Sequence, residues 1–211
     1  GVDFKNIFNL IKEEAEKHVS LGDYAWFDTE LTTLGKHCCM GKAFDDRAGC
    51  HVLLKLLTEP SELTFDAVFT VQEEVGGRGA RAAAYRINPQ TALVIEGTAA
   101  SDTPGIEGDG ISTELGKGPA ISIMDGSAIP ERGLMQELFQ AAEQAGIPYQ
   151  LRRFTGGGTD AGPIALAREG VKTAVVSVPC RYIHSPSAIL NRDDLEHTVV
   201  LLRSWLQAQR S

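Results

Sequence analysis

Apolar and polar positions divide most of this chain into alternating strand-like and helix-like segments. FDAVFTVQ (65–72), TALVIEG (91–97), AISIM (120–124) and KTAVVSVP (172–179) are short apolar runs bounded by turn signals. Each predicts a buried strand. Between them, DRAGCHVLLKLL (46–57), GARAAAYRI (79–87), LMQELFQAAEQAG (134–146) and DAGPIALAREG (160–170) carry helical spacing. RDDLEHTVVLLRSWLQAQ (192–209) predicts a closing helix, with Asn191 as its N-cap and acids in its first turn. This alternation predicts an α/β sandwich around a mainly parallel sheet. Residues 1–40 break the pattern. FKNIFNLIKEEAEKHVSLGDYAWFDTEL gives one short strand, one charged helix and another strand, too little to close a core alone.

Composition narrows the function classes. The 211 residues are 43% hydrophobic and 23% charged, the balance of an ordinary globular protein. A net charge of −8 argues against nucleic-acid binding, which needs a basic surface. No apolar run reaches membrane-spanning length, and the opening GVDFKNIFNLIKEE lacks a signal-peptide pattern. The four cysteines form no CxxC pair, which fits a reduced, cytoplasmic setting and excludes a cysteine-rich zinc site.

Candidate chemistry gathers where strands should meet loops. GKAFDDRAGC (41–50), VQEEVGGRGA (71–80), VIEGTAASDTPG (94–105) and CRYIHSPSAI (180–189) each place an acid or a histidine there. Ligands of open α/β sheets bind beyond the carboxyl ends of the strands, where these residues would converge. Asp, Glu, Glu and His together suit Zn²⁺, Co²⁺ or Mn²⁺. Plainer roles exist for each. Asp46 serves as a cap or first-turn acid of the 46–57 helix, and Asp102 in SDTPG as a turn residue. Glu96 lies in a buried strand, where a charge needs a partner. TGGGTDAG (155–162) could cradle a phosphate but lacks the Walker Lys-Ser/Thr. Arg181 could meet a substrate carboxylate or carbonyl, or pair with a structural acid. His18, His37, His51 and His197 are assigned structural roles.

Five motifs in order, KAFDDRAG, EEVGGRGA, EGTAASDTPG, GGGTDA and RYIHSP, resemble the tetrahedral aminopeptidases over the whole chain. That family includes glutamyl and deblocking aminopeptidases with two catalytic metal ions. The resemblance implies a three-layer α/β/α sandwich of the metallopeptidase type. Residues 1–40 would be the remnant of an inserted β-rich dimerisation domain, and 41–211 the catalytic domain without its N-terminal segment. It implies Asp45 as the carboxylate bridging two metals, with Glu74 and His184 completing one site. Glu96 would be a ligand of the other, where many relatives carry Asp, and Glu73 the general base. Successive strand side chains point opposite ways, which would let Glu73 and Glu74 serve different partners. The glycine loop would border the substrate pocket, with Asp160 capping the following helix, and Arg181 would bind substrate.

The resemblance further implies two divalent ions (Zn, Co or Mn), peptide substrates, no membrane or nucleic-acid partner, and a dimer-based homo-oligomer up to a dodecamer. One family feature is missing from this sequence: an HxDE-type motif whose histidine completes the Glu96 site. One well-formed site, of Asp45, Glu74 and His184, is therefore expected here. Two other functions compete: a metal-binding or scaffolding relative without catalysis, and a glycoside hydrolase using the paired carboxylates.

Overall fold

The computed structural model describes residues 12–58 and 63–209. After a helical turn at Lys12–Ala15 come β1 (Thr32–Leu34), β2 (Cys38–Gly41), α1 (Phe44–Leu57), α2 (Arg78–Ile87) and β3 (Thr91–Ala99). The second half contains β4 (Ala120–Ser122), α3 (Arg132–Ala145), β5 (Gln150–Arg152), α4 (Ala161–Ala165), β6 (Lys172–Arg181), β7 (Ala188–Asn191) and α5 (Arg192–Ala208).

β6 is the strand on which the sheet is built. Thr173 to Cys180 are all buried, as an uninterrupted apolar run predicts for a strand covered on both faces. Ala174 and Val176 enter one core with Val52 of α1, Leu138 of α3 and Leu202 of α5. Val175, between them, meets Val94 and Ala161 on the other face. There α4 is followed by Ala167 and Val171, which pack on Ala84 of α2. Helices therefore cover both faces of the sheet, giving the three-layer α/β/α arrangement.

The strand order is β1-β2-β7-β6-β4-β5, with β3 also on β6. β3 and β6 run parallel from Thr91↔Lys172 to Ala99↔Cys180, and β4 and β5 are parallel as well. β4 and β7 both meet β6 antiparallel, and β2 meets β7 the same way, so the sheet is mixed. The parallel β3–β6 pair carries Glu96 to one side of the carboxyl end of β6, and His184 follows β6 itself.

Several expectations require correction. Residues 65–72 form no strand: each is half-buried or exposed, Gln72 has a left-handed φ of 61°, and they pair with no strand among the described residues. They instead face β3 across a cleft of about 840 Å³ lined by Phe65, Val68, Phe69, Leu93 and Ile95. Val68, Phe69 and Val71 stay exposed, so this apolar run is left largely uncovered among the described residues. The helix expected over 160–170 stops at Ala165, because Arg168 and Gly170 adopt left-handed backbone angles that no helix continues through. The second strand expected within residues 4–31 is absent from the described part of that stretch, and β1 lies just after it at Thr32–Leu34. The short strand expected at the start of the chain lies outside the described residues, as does the beginning of the charged helix. Among the described residues, no helix is long and apolar enough to cross a membrane.

Two of the expected caps form as the sequence predicts. Asn191 accepts the Asp193 N–H at 2.8 Å, and Asp46 Oδ1 accepts that of Gly49 at 2.9 Å. One buried acid does more than cap. Asp194, 1% exposed in the first turn of α5, accepts the N–H groups of Gly116 and Gly118, each at 2.7 Å. It thereby fastens the loop that leads into β4. Asp194→Ala should destabilise the fold by about 2–3 kcal/mol, since two charge-assisted bonds are lost and one donor is buried. Urea unfolding measures this, and a loss below about 0.5 kcal/mol, the range of ordinary surface substitutions, would contradict it.

Candidate metal centre and active site

The chain enters α1 through Asp45 and Asp46, whose backbone angles are not yet helical. This turns the Asp45 side chain toward β3, where it lies against Gly97. A Cβ at Gly97 would sit 2.9 Å from the Asp45 Cβ, so glycine is required by the closeness of the two backbones. Glu96, one residue earlier, is thereby brought beside the α1 entry.

Glu73 and Glu74 sit on a tight turn rather than on a strand end. The Glu73 carbonyl accepts the N–H groups of Gly76 and Gly77 at 2.9 and 3.0 Å, and Gly79 closes back on Val71 at 3.0 Å. Gly77 has a left-handed φ of 62°, and its α-carbon faces Pro163 and Asp160 of the next element. The turn, not strand alternation, separates the two acids: Glu73 is half-buried and Glu74 exposed. That corrects the physical reason given from the sequence while keeping the two side chains apart.

His184 follows β6 in a loop with left-handed φ at Tyr182 and at His184 itself. Its Nε2 lies 2.9 Å from Asp45 Oδ2 and 3.4 Å from Glu74 Oε2. One donor atom from each of these residues falls within 4.8 Å of the others. Tetrahedral ligation at about 2.0–2.2 Å places donors roughly 3.4 Å apart, so the three fit a single divalent ion after a small widening of the His184–Asp45 contact. Imidazole with two carboxylates is also a suitable donor set for Zn²⁺, Co²⁺ or Mn²⁺.

Glu96 stands outside that group of three. It is 6% exposed, on the β3 face shared with Val94 and Thr98, and its Oε1 accepts the Asp160 N–H at 3.4 Å. This long backbone bond is the partner its burial calls for. Asp160 itself does not cap α4 with its side chain, contrary to expectation. Its Oδ2 accepts the Thr70 hydroxyl at 2.6 Å, while the buried Oδ1 has no hydrogen-bond partner among the described residues. Glu73, Asp46, Glu96 and Asp160 all line the wall of the large cleft.

Crowding these acids has an electrostatic consequence. Burial, with Asp46, Glu73 and Asp45 nearby, pushes the Glu96 carboxyl up to about 9. Burial likewise raises Asp46 to about 8, against the Gly49 hydrogen bond that favours its charged form. Glu73 rises to about 7, through burial and then the charges of Asp160, Glu74 and Asp45. Burial and mutual repulsion thus favour the protonated forms of these carboxyls, and a cation bound among them would favour the charged forms instead.

Arg181 pairs with Asp102, and both ends of the contact are doubled. Nε meets Oδ1 at 2.8 Å and Nη2 meets Oδ2 at 2.9 Å. The sequence treated Asp102 as a turn residue; its partner could not be named before the ends of β3 and β6 were known to be adjacent. Arg152 was also missed. It is 9% exposed and links Thr98 Oγ1 of β3 at 3.0 Å to the Gly156 carbonyl of the glycine loop at 2.8 Å. Asp125 clasps the same loop from the other side by accepting the Thr159 hydroxyl at 2.9 Å. The glycine loop is thus held against the site by side chains, and no phosphate is needed to order it.

Comparison with known proteins agrees with this arrangement. A family model described as M42 glutamyl aminopeptidase matches residues 7–201. A putative aminopeptidase from Acetivibrio thermocellus is 39% identical over 195 residues, covering 90% of this chain and 58% of that protein. The solved structure of an aminopeptidase from the archaeon Desulfurococcus kamchatkensis superposes with a TM-score of 0.86 at 42% identity, covering 95% of this chain and 60% of that one. A Pyrococcus horikoshii TET1 peptidase, described as assembling into a tetrahedron or a large octahedral shell, matches with a TM-score of 0.75 and 35% identity, over 92% of this chain and 57% of that one. The chain therefore spans a little over half the length of the relatives it matches. By the extent of these matches, the chain belongs to the M42 glutamyl aminopeptidase family.

Proposed function

We propose that this chain carries the catalytic machinery of a metal-dependent aminopeptidase, which removes N-terminal residues from peptides. The observation that supports this best is the Asp45, Glu74 and His184 donor group set beside the half-buried Glu73 at the cleft. A divalent ion (Zn, Co or Mn), when bound there, supplies Lewis acidity that polarises a carbonyl and lowers the pKa of water toward about 7. The other steps fall to the protein. Glu73 accepts a proton from the attacking water and returns it to the leaving amine. Asp160, which lines the cleft wall, is read as accepting a hydrogen bond from the substrate's α-ammonium group. Arg181 keeps N–H groups beyond the Asp102 contact for a substrate carbonyl or carboxylate.

Glu96 is proposed as a ligand of a second ion that Asp45 would bridge. Among the described residues that second position draws only carboxylates, so with these ligands alone it should fill weakly. We expect about one tightly held ion per chain by ligand count, and weak aminopeptidase activity. Elemental analysis after dialysis, with an aminoacyl-peptide assay, tests both. Fusing an upstream segment bearing an HxDE-type motif should raise occupancy toward two ions and raise activity. Two tight ions in the 211-residue chain would mean that another residue fills the gap, and His37 or His51 would be the first to examine. His37 is held by Asp193 at 2.7 Å, which favours a structural role for it.

Adjacent acids on one turn do not face each other across a sugar, so glycosidase chemistry is not supported by Glu73 and Glu74. A non-catalytic metal-binding role would leave the Glu73 position beside the donor group without a use. The exposed Tyr24, Trp26, Phe27 and Leu31 support a homo-oligomer through the N-terminal piece, in line with the shells described for the Pyrococcus horikoshii relative. Four free cysteines fit a cytoplasmic protein.

A further inference from the structure

We propose that Asp102 is a positioning residue: through Arg181 it holds the β6–β7 loop so that His184 faces Asp45 and Glu74. The inference rests on the metal-dependent reading above, and it concerns a residue outside the donor group. Three observations carry it.

First, the contact is a two-point fork with a third bond. Besides the paired side-chain contacts at 2.8 and 2.9 Å, Arg181 Nη2 reaches the Asp102 main-chain carbonyl at 3.2 Å. A planar guanidinium held at two points cannot swivel, whereas a single ammonium contact would allow it. Second, the anchor is itself fixed. Asp102 Oδ2 also accepts the Leu115 N–H at 3.0 Å, Ser101 N bonds the Thr113 carbonyl at 3.1 Å, and Ala100 N bonds the Cys180 carbonyl at 2.9 Å. Burial alone would raise the Asp102 carboxyl, but the Arg181 and Leu115 hydrogen bonds outweigh it and keep the group below its ordinary value, hence ionised.

Third, the loop needs a fixed base. Arg181 is the last residue of β6 and pairs with Ile189 of β7. The next three residues leave the sheet with left-handed φ angles of 57° at Tyr182 and 60° at His184. Non-glycine residues persist in that conformation only where surrounding contacts impose it. The ion pair fixes the loop on one side of His184. On the other, Ser185 Oγ donates to the Ser187 carbonyl at 3.1 Å and accepts the Ser187 N–H at 3.3 Å. The clamp also joins the segment after β3, the strand that carries Glu96, to the last residue of β6, the strand that leads to His184, so it fixes the spacing between them.

The test is Asp102→Asn, which keeps the shape and removes the charge. In the metal-free parent, long-range ¹H–¹⁵N spectra should show one hydrogen-bonded tautomer for the His184 ring, and the variant should show a mobile, averaged ring. Zn²⁺ affinity, measured by competition with a chelator, should fall about 10–100-fold, the usual loss when a partner behind a metal ligand is removed. Asp102→Glu, which keeps the carboxylate, should recover part of it. If Asp102→Asn does not fold, Arg181→Lys keeps the charge without the fork and should show the same two losses. A parent-like His184 ring and parent-like Zn²⁺ affinity in a folded variant would overturn the proposal. So would a change confined to KM with a parent-like His184 ring and Zn²⁺ affinity, which would leave the Asp102–Arg181 pair a substrate-binding role alone. If the parent itself binds no Zn²⁺, the metal reading fails, and the His184 ring spectrum still decides the positioning claim.

Discussion

Glu73→Gln leaves the chain folded and its divalent ion bound, yet lowers peptide hydrolysis by an active, extended form about 10²–10⁴-fold, the usual contribution of a general base. The substitution is nearly isosteric and removes only the ability to take up a proton. Fold and turn should survive, because the turn depends on the Glu73 main-chain carbonyl, which Gly76 and Gly77 bond whatever the side chain is. Ion binding should survive as well, because Glu73 is not one of the three donors that converge. Removing one charge from a cluster that already pushes Glu96 up to about 9 also relieves repulsion, so stability should hold or rise. Turnover of aminoacyl substrates and elemental analysis of the same samples separate the two effects. Parent-like turnover with parent-like metal content would remove Glu73 from the mechanism.

How far the sequence foretold this arrangement depends on what each signal encodes. β6 was legible because a strand covered on both faces must be mostly apolar, and in KTAVVSVP only Lys172, Thr173 and Ser177 are polar. Helices 46–57, 79–87, 134–146 and 192–209 were legible for the corresponding reason, each having a face to bury. FDAVFTVQ carried an equally clear pattern and is not a strand here, since an apolar run names no partner: Val68, Phe69 and Val71 stay exposed among the described residues. β2, β5 and β7, of three or four residues, are too short to carry a period. In the site, acids and a histidine at expected strand ends marked four segments, the family resemblance chose Asp45, Glu74 and His184 from them, and the structure brings one donor atom of each within 4.8 Å of the others. The Asp102–Arg181 and Arg152–Thr98 contacts were hidden because they join residues 79 and 54 positions apart, and only the strand order reveals them.

Asp45→Asn should deplete bound metal more than any other single substitution in the donor group. Its carboxylate is the one that His184 Nε2 approaches at 2.9 Å, and it packs on Gly97 beside Glu96, so it alone adjoins both proposed ion positions. An amide in its place keeps a carbonyl oxygen but loses the negative charge that draws a divalent ion. Affinity should therefore fall by more than about 100-fold, the upper end of what losing a residue behind the ligands costs. Glu74→Gln and His184→Ala should each empty mainly the single three-donor site. Of those two, His184→Ala should have the larger effect, because a ring is removed outright, whereas glutamine retains an oxygen at the same reach. In an extended form with two ions, this ordering becomes a stoichiometry: Asp45→Asn should hold fewer than one ion, and the other two variants about one each. Equal metal content in all three variants and the parent would show that the ion binds elsewhere. Near-complete loss in His184→Ala together with parent-like content in Asp45→Asn would make the histidine, not the bridging carboxylate, the centre of the site.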